Sequence, residues 1–206
     1  MNQEELFRQY FLVMDTVNRG FSLTAIGQAV DILYDAWQRE SAVYLMGNGG
    51  SASTATHFAS DLAKYTLAPG KKRVRALALV DNIPLVSAWT NDAGFGSVFV
   101  EQLEPWLKKD DVLIGLSVHG GSGDGGAGPW SQNLVQAMDL AKKRGATTIA
   151  MAGFSGGALK QMADVCILVP VTEEPMGTPL IESYHVLLHH LICLALKLRI
   201  AEANGA

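Results

Sequence analysis

A chain of 206 residues, 49% of them hydrophobic, is long enough for one well-covered core and short for two domains. Its formal net charge of -4, with like charges clustered only at "GKKRVR" (70 to 75), leaves no electrostatic footprint for a nucleic-acid partner, and that stretch reads as a solvated strand entry. No apolar stretch reaches the length that spans a bilayer and "MNQEELFRQY" lacks the form of a signal peptide, so the expectation is a cytoplasmic protein with no membrane partner.

Residues 2 to 19 and 22 to 40 read as two amphipathic helices, with Gly20 as the stop of the first and Ser22 as the N-cap of the second. Five apolar runs follow: "AVYLMG" (42 to 47), "VRALALV" (74 to 80), "DVLIGLSV" (111 to 118), "TTIAMAG" (147 to 153) and "VCILVP" (165 to 170). Between them, helical patterns cover 51 to 65, 83 to 90, 95 to 108, 131 to 144 and 156 to 163, and a long helix covers 178 to 203. Runs that are apolar throughout, separated by helices, belong to a parallel sheet covered on both faces, which predicts a doubly wound α/β fold. The last helix is apolar around most of its circumference, and burial against further copies of the chain, together with the two leading helices, predicts a homo-oligomer. Cys166 and Cys193 have no partner spacing and read as buried thiols.

Doubly wound sheets bind ligands beyond the carboxyl ends of their strands, so the loops there carry the functional signal. The first strand exits into "GNGGSAS" (47 to 53), where glycines turn amides toward an anion at a helix start. It has no P-loop lysine and no GxGxxG, which disfavours nucleotides; a single sugar phosphate suits it, with an ordinary tight turn as the competing reading. The third strand exits into "SVHGGSGDGG" (117 to 126), a second hydroxyl and glycine cluster at the same sheet edge, with Ser131 expected to cap the next helix.

His57 and Asp61, at i and i+4, share one helix face and can meet a common ligand or metal. Glu182, His185, His189 and His190 add ionisable groups to the apolar last helix, where unpaired ones would be costly. At about 100° per residue Glu182, His185 and His189 cluster on one face, while His190 lies roughly 80° from Glu182 and can still converge with it, so spacing leaves His189 and His190 both open.

The stretches "GNGGSAS…HFASDL", "TNDAGFGSVFVEQLE", "DVLIGLS" and "TPLIESYHVLLHHLIC" together resemble the SIS (sugar isomerase) domain family, closest to its phosphoheptose isomerase branch, over nearly the whole chain. The resemblance implies a flavodoxin-like five-stranded parallel sheet in a single SIS domain over 1–206, with 1–40 a helical oligomerisation segment and 41–206 the α/β core. It implies a homotetramer that interconverts a ketose phosphate and an aldose phosphate, in the known case yielding D-glycero-D-manno-heptose 7-phosphate. Carried over by motif, the substrate would touch Asn48, Gly49, Gly50, Ser51, Asn91, Asp92, Ser117, Val118 and His119, with Ser131 or its rival Ser122 after the longer loop. The family's zinc ligands and acid/base pair fall on His57, Asp61, Glu182 and His190, with Asp61 as base, His190 as acid, and zinc or another divalent transition metal between them.

Four departures stand out. The family usually has glutamate where Asp61 stands, glutamine where Glu182 stands, and an arginine where Leu180 stands. Its "S-T-S-G-N-S" loop becomes "SVHGGSGDGGAGPWS", an insert that reads either as a lid anchored by Trp130 or as a surface insertion. The sugar therefore stays open among heptose, octose and pentose phosphates, and a non-catalytic sugar-phosphate sensor, or an adaptor of the replication-initiator-associating type, is the alternative function.

Overall fold

The computed structural model describes residues 2–121 and 131–203. Helices α1 (Gln3–Gly20) and α2 (Leu23–Arg39) come first. Asn2 Oδ1 accepts from the Glu5 N–H and Ser22 Oγ accepts from the Ala25 N–H, each satisfying an amide that a helix start leaves without a partner. Gly20 is not the stop expected for α1 but its last helical residue. A β-carbon there would lie 2.9 Å from Pro170 Cγ, so the glycine serves a close approach between α1 and the β5 exit.

The remaining elements alternate: β1 (Ala42–Gly47), α3 (Gly50–Ser60) running into a π-helical turn (Asp61–Tyr65), β2 (Arg75–Ala78), α4 (Ile83–Ala93), a 3-10 turn (Phe95–Ser97) leading into α5 (Val98–Leu103), β3 (Val112–Ser117), α6 (Gln132–Arg144), β4 (Thr147–Ala152), α7 (Gly157–Met162), β5 (Val165–Leu168) and α8 (Gly177–Glu202). The single helix expected over 95 to 108 is cut short. Glu104 keeps helical backbone, but Pro105 has no N–H to continue the ladder, and α5 ends at Leu103.

All five strands are parallel, in the flavodoxin-like order β2-β1-β3-β4-β5. The strands are apolar throughout because alternate residues feed two cores. Leu45, Ile114, Met151 and Ile167 pack beneath α1, α2, α3 and α8, whereas Met46, Leu113 and Ala150 pack beneath α5, α6 and α7. The chain passes from β1 to β2 on one side and to β3 on the other, so strand order reverses at the β1/β3 pair, and the crevice above their carboxyl ends is where such a sheet takes its ligand.

Helix α8 contributes Leu180, Ile181, Tyr184, Leu188, Ile192, Cys193, Leu196 and Ile200 to the first core. Contrary to the expectation from the sequence, it is long and apolar enough, by length and composition, to cross a membrane; half of its most apolar stretch is buried inside the protein, and core packing accounts for that composition. Its outer side carries exposed Leu187, Leu191, Leu194 and Leu198, spaced as in a helix-pairing seam. Helix α4 has no buried residue at all.

His185 lies wholly inside this core, with neither ring nitrogen in hydrogen-bonding geometry. Burial pushes its pKa down to about 4, opposed only in part by the Ala152 backbone nearby. Between pH 6.5 and 4 the unfolded chain therefore binds the proton that the folded one refuses, so stability is full above 6.5 and is lost on acidification, by about 3 kcal/mol for this group. His185→Leu is expected to flatten that part of the profile in urea unfolding measured at successive pH values. An unchanged slope would show that this imidazole does not set it.

Candidate active site

The carboxyl ends of β1 and β3 lie side by side, with Gly47 in register with Leu116. Beyond β1 the chain turns through Gly49, whose φ of +56° and ψ of -126° suit glycine alone, and enters α3 with no side chain capping its first turn. The uncapped amides and the positive end of the helix dipole face a cavity of about 170 Å³ lined by Asn48, Ser51, Leu116, Ser117, Val118, His119, Gly121, Ser131 and Glu182. The two glycine- and hydroxyl-rich exits thus form one concavity.

Asn133 holds its two sides together, and nothing in the sequence drew attention to it. Almost fully buried, it exchanges side-chain hydrogen bonds with Asn48: Asn48 Nδ2 donates to Asn133 Oδ1 at 3.1 Å and Asn133 Nδ2 donates to Asn48 Oδ1 at 2.8 Å. The pair spans 85 residues of chain, a distance over which no local pattern points. Ser131 does not cap α6 as expected. It sits in a left-handed conformation at φ 57°, which turns its hydroxyl from the helix amides, and Oγ instead lies 3.4 Å from Asn48 Nδ2.

The ionisable cluster lies further along α3. His57, on the last full turn, and Asp61, where the helix loosens into its π-helical turn, meet His189 and His190 of α8. One ligand atom from each of the four lies within 4.8 Å of every other, and the set is one that could hold a metal ion. Asp61 Oδ2 is 3.6 Å from His57 Nε2, 3.2 Å from His189 Nε2 and 3.4 Å from His190 Nε2, while the Nε2 atoms of His57 and His190 are 3.4 Å apart. His57 and His190 are half exposed, which gives the cluster an open side, whereas the His189 side chain is fully buried and stacked on Phe58 at 5.3 Å.

Desolvation lowers the His189 pKa to about 4, reinforced by His190 and His57 and opposed by Asp61, so near neutral pH this ring is uncharged and able to donate a lone pair. Neither of its nitrogens has a hydrogen bond of proper geometry, although Asp61 lies close. A buried imidazole without partners, among one carboxylate and two further imidazoles, fits a borderline divalent cation such as zinc.

The residues singled out from the sequence thus fall into three groups. Asn48, Ser51, Ser117, Val118, His119, Ser131 and Glu182 line the cavity, while Gly49 and Gly50 form the turn and first residue of the helix beside it. His57, Asp61 and His190 converge, joined by His189 and not by Glu182. The Glu182 carboxylate lies instead against Gly50: a β-carbon there would come within 2.5 Å of Cδ and 2.7 Å of Oε2. Asn91 and Asp92 form a third group on exposed α4, where Asn91 Nδ2 donates to Asp92 Oδ1 at 2.8 Å, and neither lines the cavity. Ser122 and Trp130 lie outside the described residues.

Comparison with known proteins agrees with this geometry. The family model described as "SIS domain" matches residues 13–153. The lincomycin biosynthesis protein LmbN of Streptomyces lincolnensis is 52% identical over 171 residues, 83% of this chain and 61% of LmbN, so the chain spans about three fifths of that relative. A phosphoheptose isomerase of Helicobacter pylori (strain P12) is 34% identical over 178 residues, 86% of this chain and 85% of its own. Among solved structures, the phosphoheptose isomerase of Francisella tularensis superposes with a TM-score of 0.82 at 25% identity, covering 96% of this chain and all of its own, and that of Neisseria gonorrhoeae with 0.78 at 26%, covering 94% and 95%. A sheet that reverses at a polar crevice, a matching family model over more than half of the chain, and a phosphoheptose isomerase 34% identical over 86% of this chain and 85% of its own lead to one conclusion: the chain belongs to the SIS domain family.

Proposed function

We propose that the protein is an aldose–ketose sugar-phosphate isomerase acting on a long-chain ketose phosphate, sedoheptulose 7-phosphate or a close relative, and yielding D-glycero-D-manno-heptose 7-phosphate or its counterpart. The observation that carries this reading is the spacing between cradle and cluster. Gly50 abuts Glu182 and His57 meets His190, so α3 and α8 run alongside each other in the same direction, and the two places are separated by seven to eight helical residues, about 10 to 12 Å. With bonds near 1.5 Å, the carbonyl carbon and phosphorus of an extended 2-ketose are about 9 Å apart in a heptose 7-phosphate, about 10 Å in an octose 8-phosphate and only about 6 Å in a pentose 5-phosphate. The longer sugars come nearest to that separation, whereas a pentose phosphate falls well short of it.

In this reading the phosphate accepts hydrogen bonds from Ser51, Ser117, Ser131 and the amides opening α3, which fixes the register of the sugar. Asp61 removes the proton from the carbon beside the carbonyl to give the enediolate, and His190 manages the proton at oxygen. All three imidazoles approach Asp61 through Oδ2, so Oδ1 is the atom assigned to proton abstraction. A divalent transition metal held by His57, Asp61 and His190 would, when bound, supply Lewis-acid polarisation of the carbonyl. A sensor or adaptor needs only the cradle, so four ligand-type side chains converging a sugar's length away favour the enzyme.

The test is isotope exchange. Incubated in D2O with added zinc and a panel of ketose 5-, 7- and 8-phosphates, the protein is expected to place deuterium on the carbon beside the carbonyl of a seven- or eight-carbon substrate. The similarity to a relative named for lincomycin biosynthesis makes secondary-metabolite sugars candidates for that panel. No exchange with any of them would leave the sensor reading.

Assembly as a homotetramer belongs to the same proposal, supported by the leucine seam on α8, by exposed Phe7 and Phe11 on α1, and by an α4 that has no buried residue and rests on the second core only through the partly buried Val86 and Trp89. Leu191→Glu is expected to lower the mass found by light scattering. A monomeric parent would remove this part of the proposal.

A further inference from the structure

We propose that His189 is the fourth protein ligand of the metal site, making it three imidazoles and one carboxylate, and that Glu182 is not a ligand but faces the sugar phosphate. The assignment rests on the metal-assisted reading above and narrows it.

The spacing within the cluster suits the ligands of one small cation. Ligand atoms 2.0 to 2.2 Å from a tetrahedral zinc are about 3.3 to 3.6 Å from one another. Four of the six separations among His57 Nε2, Asp61 Oδ2, His189 Nε2 and His190 Nε2 measure 3.6, 3.2, 3.4 and 3.4 Å, and each of the four residues brings one ligand atom within 4.8 Å of one from every other. The shortest of the four involves His189. Hydrogen bonding accounts for only part of this convergence: His57 and His190 can share one proton between their Nε2 atoms, yet three imidazoles aim the same nitrogen at a single carboxylate oxygen.

His189 differs from its two neighbours in being wholly buried with neither nitrogen in a hydrogen bond of proper geometry, Asp61 Oδ2 being its one close polar contact, a state proteins rarely leave uncompensated. Phe58, stacked on the ring at an interplanar angle of 23°, fixes its plane, as the support of a ligand should. Glu182 lies about two turns toward the start of α8, against Gly50 and in the cradle lining. The carboxylate there puts negative charge beside the proposed phosphate position, where it accepts from sugar hydroxyls and weakens the hold on a bare anion.

Metal affinity separates the roles without reference to turnover. Apoprotein is titrated with cobalt(II), followed by its visible absorption, and with zinc, by calorimetry. His189→Leu, which keeps an apolar group in a buried site, is expected to fold, to weaken both metals at least a hundredfold, and to lose the rise in melting temperature that zinc gives the parent. His189→Gln serves as the second variant should leucine disturb the core, with the same expected loss. Glu182→Gln is expected to bind both metals within threefold of the parent and to bind inorganic phosphate more tightly.

Retention of metal by both His189 variants, or a tenfold loss on Glu182→Gln, would overturn the assignment while leaving a metal-assisted isomerase intact. A parent that binds neither metal would remove the metal from the proposed function and this assignment with it.

Discussion

Asp61→Asn is expected to lower isotope exchange and turnover by about a thousandfold, the upper middle of the range for losing a positioned general base. Asparagine has nearly the same shape, so the packing of α3 against α8 should survive and KM for the sugar phosphate should change little, because the cradle lies about two helical turns away along the α3–α8 seam. The loss should therefore fall on kcat. Three imidazoles would also lose the only carboxylate among the described residues within 3.6 Å of their Nε2 atoms, so metal content should be measured in the same preparations. Exchange within tenfold of the parent in metal-loaded Asp61→Asn would remove this residue from the role of base.

Gly47→Ala should have the largest effect on stability. Gly47 ends β1, and a β-carbon there would collide with the Ser51 carbonyl oxygen, lie 2.5 Å from the Ser51 carbonyl carbon and 2.9 Å from the Ala52 nitrogen. These are backbone atoms of the first turn of α3 and cannot rotate aside. Relief requires either lifting α3, which carries Ser51, His57 and Asp61, or slipping β1 against β3. An overpacking cost of about 3 kcal/mol, near the top of the usual range, corresponds in a chain of this length to a melting temperature lower by about 6 to 12 °C. Gly50→Ala is the control. Its β-carbon meets the flexible end of Glu182, so that side chain can move away and most of the stability should remain. Thermal unfolding followed by circular dichroism compares the two, and a Gly47→Ala protein melting within 2 °C of the parent would show that the β1 exit has slack the close approach denies.

Much of this molecule is legible along the chain because it rests on local physics. Runs apolar on both faces can be stable only between two layers of helices, so five such runs separated by helical patterns lead to a doubly wound parallel sheet, and the glycine and serine loops after β1 and β3 fall at the reversal of strand order. Helix starts were legible where a cap is a short-range hydrogen bond, as at Ser22, and failed at Ser131, where a left-handed backbone turns the hydroxyl across to Asn48 instead.

What periodicity could not reach were the contacts between elements remote in sequence. Spacing on α8 left His189 and His190 open because a helical wheel gives angles around one axis and nothing of the neighbour it meets; once α3 lies alongside, both imidazoles reach Asp61, one from the buried side and one from the open side. The same crossing takes Glu182 to the start of α3 rather than to its end. The Asn48–Asn133 pair is a tertiary fact for the same reason, since two amides 85 residues apart acquire meaning only when β1 and β3 lie side by side. Sequence dictates which residues are apolar, capped or turning, each decided within a few positions, whereas the choice of which polar atoms share one small space belongs to long-range packing.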